Sequence, residues 1–122
     1  MSRHDDATRL RQMLDYAIEA LQMSQGRQRT DLDSDRMFEL AMTRLLEIIG
    51  EAASKVSPGL RTTHQDIEWG PIIGLRNRLI HGYDSIDRDI LWQIVAADLP
   101  ALVDRLKQIV EGLGGGSPSS ST

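Results

Sequence analysis

Apolar residues return at three- and four-residue steps through most of the chain. Between about Asp5 and Met23 they are Leu10, Met13, Leu14, Ala17, Ile18 and Leu21. That spacing is one face of an α-helix, with Arg9, Arg11, Asp15 and Glu19 on the wet side. Gly26 follows as a helix-ending residue. The polar stretch Arg27 to Asp33 reads as a loop, and Asp33, Ser34 or Asp35 can cap the next helix. That helix is predicted to run to about Val56. Its apolar positions are Met37, Leu40, Ala41, Leu45, Ile48, Ile49, Ala52 and Val56, widened by Met42 and Leu46. So broad a stripe implies more than one neighbour. Gly50 is unfavourable by ~1 kcal/mol against Ala inside a helix, so a packing reason is expected for it.

Ser57-Pro58-Gly59 stops this helix, and a polar loop is expected as far as Glu68. Pro71 suits the first turn of a third helix, whose apolar face is Ile72, Ile73, Leu75, Leu79 and Ile80 and whose exit is Gly82. A fourth helical stretch covers about Asp87 to Ala97. Pro100 either kinks it or opens a new helix capped by Asp98, and the pattern continues to Gly112. No alternating run of β-branched residues marks a strand. The expected architecture is all-α, an antiparallel up-and-down bundle of four to five helices over residues 1–112. Residues 113–122 form a disordered Gly/Ser tail.

Composition then narrows the chemistry. The chain of 122 residues has no cysteine, which excludes disulfides, thiol catalysis and cysteine-based zinc sites. No apolar run approaches a membrane span, and the first six residues lack the apolar core of a secretory signal, so a cytoplasmic protein is expected. A net charge of −4 argues against a broad grip on nucleic acid but leaves room for a local basic site. The paired Glu-x-x-His of di-metal bundles, His-Glu-x-x-His, and the P-loop are all absent. No metal and no cofactor is expected.

One constellation remains, Arg76-Asn77-Arg78-Leu79-Ile80-His81-Gly82-Tyr83. A guanidinium can fork two hydrogen bonds onto a phosphate, and an imidazole exchanges a proton near neutral pH. Facing one phosphodiester, the pair is a minimal kit for metal-free RNA cleavage. The histidine moves the proton of the 2′-OH or of the leaving oxygen, while the arginine steadies charge on phosphorus. At about 100° per residue, however, an unbroken helix holds His81 about 140° away from Arg76. The two meet only if the helix frays before Gly82, if Arg76 bends round on its long stem, or if a twofold partner brings both chains' pairs into one groove. A twofold mate also supplies the second imidazole that an acid and a base require.

Arg76, His81 and Tyr83 fit Arg-x-x-x-x-His-x-Tyr, and here the sequence resembles the HepT-like toxins of the HEPN superfamily. Asn77 matches the polar residue favoured after the arginine. Arg44-Leu45-Leu46-Glu47-Ile48-Ile49-Gly50-Glu51-Ala52-Ala53 is similar to the family's second helix, and Trp69 with Ile73-Gly74-Leu75 to its approach to the motif. Trp92-Gln93-Ile94-Val95 and Asp98-Leu99-Pro100 are similar to its C-terminal part. The resemblance implies a dimeric helical ribonuclease, independent of metal, with the motifs lining a cleft between protomers. It implies catalytic roles for Arg76, His81 and Asn77, with Arg78 on the substrate. It also implies a cognate minimal nucleotidyltransferase antitoxin (MntA-like) that shuts the toxin off by transferring AMP to Tyr83, in the manner of a type VII toxin-antitoxin pair.

The same residues also admit structural roles. Arg76 can pair with Glu47 or Glu51 and hold the bundle together, with those glutamates as support. His81 can complement a helix dipole. Tyr83 can be a half-buried bundle residue, and His4 and His64 read as solvated. A non-catalytic subunit that binds a nucleotidyltransferase or a nucleotide through the same cleft is the alternative function.

Overall fold

The three- and four-residue spacing produces three long helical runs. The computed structural model of the chain describes residues 3–81 and 85–114. Helix α1 spans Arg3–Ser24, α3 spans Arg36–Ser54, and α8 spans Leu99–Gly114. Helix α1 lies against both α3 and α8. Leu10, Met13, Ala17, Met42, Leu46, Ile49 and Leu106 meet there with no exposure. Fully burying each large aliphatic side chain contributes roughly 1.5–3 kcal/mol, so this aliphatic seam holds the bundle together. Asp6 is buried beside it. Its two oxygens accept from the Ser57 backbone N–H at 2.9 Å and the Ser57 hydroxyl at 2.6 Å, which ties the start of α1 to the chain beyond α3.

The stripe on α3 is turned from the expected one at its first turn. Met37 is 80% exposed and Leu40 47%, while Phe38 and Glu39 point inward. Asp35 sets that turn, accepting the Phe38 N–H at 3.1 Å as N-cap. Arg27 binds the same Asp35 at 2.7 Å and lies 4.0 Å over the Phe38 ring.

Several short elements replace predicted loops. Asp31–Ser34 forms a single turn, α2, inside what was expected to be loop. Pro58–Thr63 forms α4, because Ser57 caps it and Pro58 takes its first position. The Ser-Pro-Gly stop signal is therefore also a start signal. His64, expected to be solvated, ends α4 half-buried. Its carbonyl accepts from the Trp69 indole N–H at 2.9 Å, and its Nδ1 lies 3.4 Å from Arg105. His4 falls in α1 with its side chain outside the described residues.

The predicted third helix is two helices, α5 (Trp69–Ile73) and α6 (Leu75–Leu79), divided at Gly74. A two-residue antiparallel pair follows, β1 (Ile80–His81) with β2 (Ser85–Ile86), where no strand was expected. Helix α7 (Arg88–Gln93) then runs through a π-helical turn, Ile94–Asp98, directly into α8. Pro100 explains the π turn. It has no N–H for the Ala96 carbonyl, and the ladder slips so that the Leu99 N–H reaches the Ile94 carbonyl. The helix neither stops nor restarts at Asp98, and it ends two residues beyond Gly112. Residues 115–122 of the expected tail lie outside the described residues.

Candidate functional site

Close backbone approach places the site. A Cβ on Gly50 would stand 2.7 Å from the Ile72 carbonyl oxygen, so only glycine lets α5 seat this tightly on α3. This is the packing role expected of Gly50. Leu75 and Leu79 then anchor α6 by burial, which leaves Arg76 and Asn77 exposed on its outer side.

Arg76 turns to α3. Its Nε donates to Glu47 Oε2 at 3.2 Å, and the side chain stays 72% exposed. Glu47 also faces Arg44, whose Nη1 lies 3.7 Å from Oε1. Glu51 is exposed and makes no ion pair among the described residues, with Arg76 or with Lys55. One carboxylate thus positions two guanidiniums by their edges. The Nη groups of Arg76 have no described partner and remain available to an anion.

His81 is no longer on the helix. Ile80 is extended (φ −106°, ψ 119°) and ends α6 at Leu79, short of the exit expected at Gly82. The Asp87 N–H donates to the Leu79 carbonyl at 2.8 Å, and His81 pairs with Ser85 across the two-stranded ladder. The imidazole is 58% exposed, and its Nε2 lies 3.7 Å from Asp87 Oδ2. The other oxygen of Asp87 accepts the Ile90 N–H at 3.0 Å as the cap of α7. A single carboxylate therefore starts a helix and faces the imidazole, and Nδ1 has no hydrogen-bond partner among the described residues.

The structure brings Arg76 to Glu47 and His81 to Asp87, and no hydrogen bond or ion pair joins the two motif residues within one chain. Arg78 stands on the other flank of α6, half-buried and away from Glu47. Tyr83 lies outside the described residues. Among the described residues, no group of three or more metal-ligating side chains stands together. Arg44 and Asp87 were not singled out by the sequence. Arg44 sits three residues before Glu47 on the same helical row, and that spacing was its only signal. Asp87 showed itself only as the start of a helical stretch.

The family model described as Ribonuclease HepT-like matches residues 13–109. The chain belongs to the HepT-like ribonuclease family. It is 33% identical over 102 residues to a Methanocaldococcus jannaschii protein named "Putative RNase MJ1380", covering 84% of this chain and 94% of that one. It is 33% identical over 79 residues to "Probable ribonuclease HepT" of Thermococcus cleftensis, covering 65% and 72%. No solved structure matches. The membership agrees with the all-α bundle. No helix among the described residues is long and apolar enough to cross a membrane.

Proposed function

We propose that this HepT-like ribonuclease is the toxin of a type VII-like pair, cleaving RNA without metal in a cleft between two protomers. His81 moves the proton as the 2′-oxygen attacks the neighbouring phosphorus and the 5′-oxygen leaves. Arg76 holds the phosphoryl oxygens, and Asn77 orients them. Asp87 is a positioning residue that fixes the imidazole ring. One observation carries this reading: α6 ends at Leu79, so the imidazole escapes the helical register that would have kept it turned from Arg76.

The homodimer draws support from α3. Met37, Leu40, Arg44 and Glu47 lie on one helical row, the first two apolar and exposed, the last holding Arg76. A second copy seated there supplies the second imidazole. The antitoxin, a minimal nucleotidyltransferase, acts on Tyr83. The phenolic oxygen attacks the α-phosphorus of ATP, pyrophosphate leaves, and the added AMP carries negative charge to the motif guanidinium.

Labelled RNA incubated with the full chain in EDTA tests the reading. Cleavage that disappears in both Arg76→Ala and His81→Ala supports the enzyme, and RNA bound without turnover supports the interaction subunit instead. Co-expression with the nucleotidyltransferase should add AMP mass that maps to Tyr83 and is absent from Tyr83→Phe.

A further inference from the structure

On the flank of α6 away from Arg76 the structure holds a cavity of about 430 Å³, within the range that takes small ligands. Leu75 and Arg78, three residues apart on one helical face, both line it. Ile49, Leu75, Ile94 and Leu99 form a buried floor. The π turn builds one wall. Ala97 and Asp98, in that turn, are exposed at the cavity's edge, while Ile94 and Leu99 are buried in it.

The polar rim is uneven. Arg105 is neutralised by its close pair with Asp66. The half-buried Arg78 side chain has no hydrogen-bond or ion-pair partner among the described residues, and neither do the side chains of Asp98 and Glu68. The cavity thus offers an apolar slot, one uncommitted guanidinium and two uncommitted carboxylates. A bare phosphate does not suit the floor, and a purely apolar ligand wastes the rim. A flat ring that donates N–H to a carboxylate and carries a phosphate toward Arg78 satisfies all three.

We infer that this cavity is a subsite for an unstacked nucleobase of RNA bearing an exocyclic amine, with Arg78 on the adjoining phosphate. The inference rests on the ribonuclease reading and extends it to base preference. Adenine, cytosine and guanine each present an amine that Asp98 or Glu68 can accept from, whereas uracil carries no amine and donates there only its N3–H, set between two carbonyl oxygens that repel a carboxylate. Because α6 is about 10 Å across, a base in this slot belongs to a nucleotide close to the phosphate held by Arg76 on the opposite flank.

Methyl-labelled full-length protein titrated with 5′-AMP, 5′-CMP, 5′-GMP and 5′-UMP tests it by NMR. Saturable shifts are expected at Ile72, Leu75, Ile94 and Leu102, with UMP about tenfold weaker than the other three. Asp98→Asn, at an exposed position, should narrow that difference, and Leu102→Trp should abolish the shifts by filling the slot. Equal binding of UMP, shifts confined to Ile80 and Ile86 beside His81, or silence at these methyls would overturn the inference. So would shifts that follow protein dilution instead of nucleotide, because the occupant would then be a second copy. Silent methyls in a protein whose RNA cleavage still needs Arg76 and His81 sink the subsite alone. Nucleotide-responsive methyls in a protein whose His81→Ala variant cleaves RNA normally sink the catalytic reading alone.

Discussion

Glu39 and Glu47 stand about two turns apart on α3, and each receives the Nε of an arginine from the segment that follows α5. Glu39 is 1% exposed and accepts from Arg88 at 2.6 Å and from Arg36 at 3.1 Å. Arg88 also reaches Asp33 with Nη1 at 3.5 Å, and the bond to Glu39 holds its guanidinium above the ordinary value. Glu47 meets Arg76 at 3.2 Å, but that arginine is 72% exposed and uses only its Nε. Burial separates the two pairs, not chemistry. The inner one joins α7 to α3 and is spent on the fold. The outer one aims a guanidinium without using it up, which is what a phosphate-binding residue requires.

The largest effect that sharpens this contrast is at the imidazole. His81→Ala should lower RNA cleavage by about 10²–10⁴-fold, the usual worth of a positioned proton carrier, with no change in thermal midpoint. A folded variant with undiminished cleavage would break the outer site's claim. The inner pair should answer in the opposite way. Arg88→Ala leaves the buried Glu39 carboxylate with Arg36 as its remaining partner, Arg88 itself being 40% exposed, and taking a partner from a buried carboxylate is destabilising. Its thermal midpoint should drop clearly below that of Arg76→Ala, because exposed pairs contribute only ~0–1 kcal/mol.

The contrast also shows what the sequence could convey. The three long runs were readable because periodicity reports burial over many residues, and Gly50 because a glycine inside a helix needs a reason. The choice of Glu47 over Glu51 was not readable. Both share a face, and the difference comes from where Gly50 lets α5 settle. The break at Gly74 and the short ladder at Ile80–His81 were hidden for a related reason. Leu75, Leu79 and Ile80 keep helical spacing even though the chain leaves the helix. The exposed Met37 and Leu40 looked like core because hydropathy carries no sign of direction. The motif residues themselves were legible as residue types, and their separate carboxylate partners were not.

Gly50→Val places a branched side chain against the Ile72 carbonyl and should destabilise by about 1–3 kcal/mol, read as a lower denaturation midpoint. Unaltered stability would mean that α5 does not sit as closely on α3 as the geometry requires. Asp87→Asn keeps a good helix cap but removes the charge facing His81. Cleavage should fall, by less than the His81 effect because the contact is long at 3.7 Å, with stability preserved. The smallest effect is in acid. Arg27 holds the Asp35 carboxyl below the ordinary range, and Arg105 does the same for Asp66. The unfolded chain therefore binds more protons as pH falls below the ordinary carboxylate value of ~3.9. The stability these groups contribute is complete above that value and is lost as pH drops through their lowered folded values. Denaturation profiles of Asp35→Asn and Asp66→Asn should be flatter than wild type across that window.

On the proposed function, the outer pair serves chemistry while the inner pair serves the fold. Cleavage per folded molecule, measured side by side for Arg76→Ala and Arg88→Ala in EDTA, tests it most directly. Arg76→Ala should fold and cleave at least about a hundredfold less, and Arg88→Ala should melt early yet cleave normally while folded. An Arg76→Ala protein that folds and cleaves like wild type would contradict it.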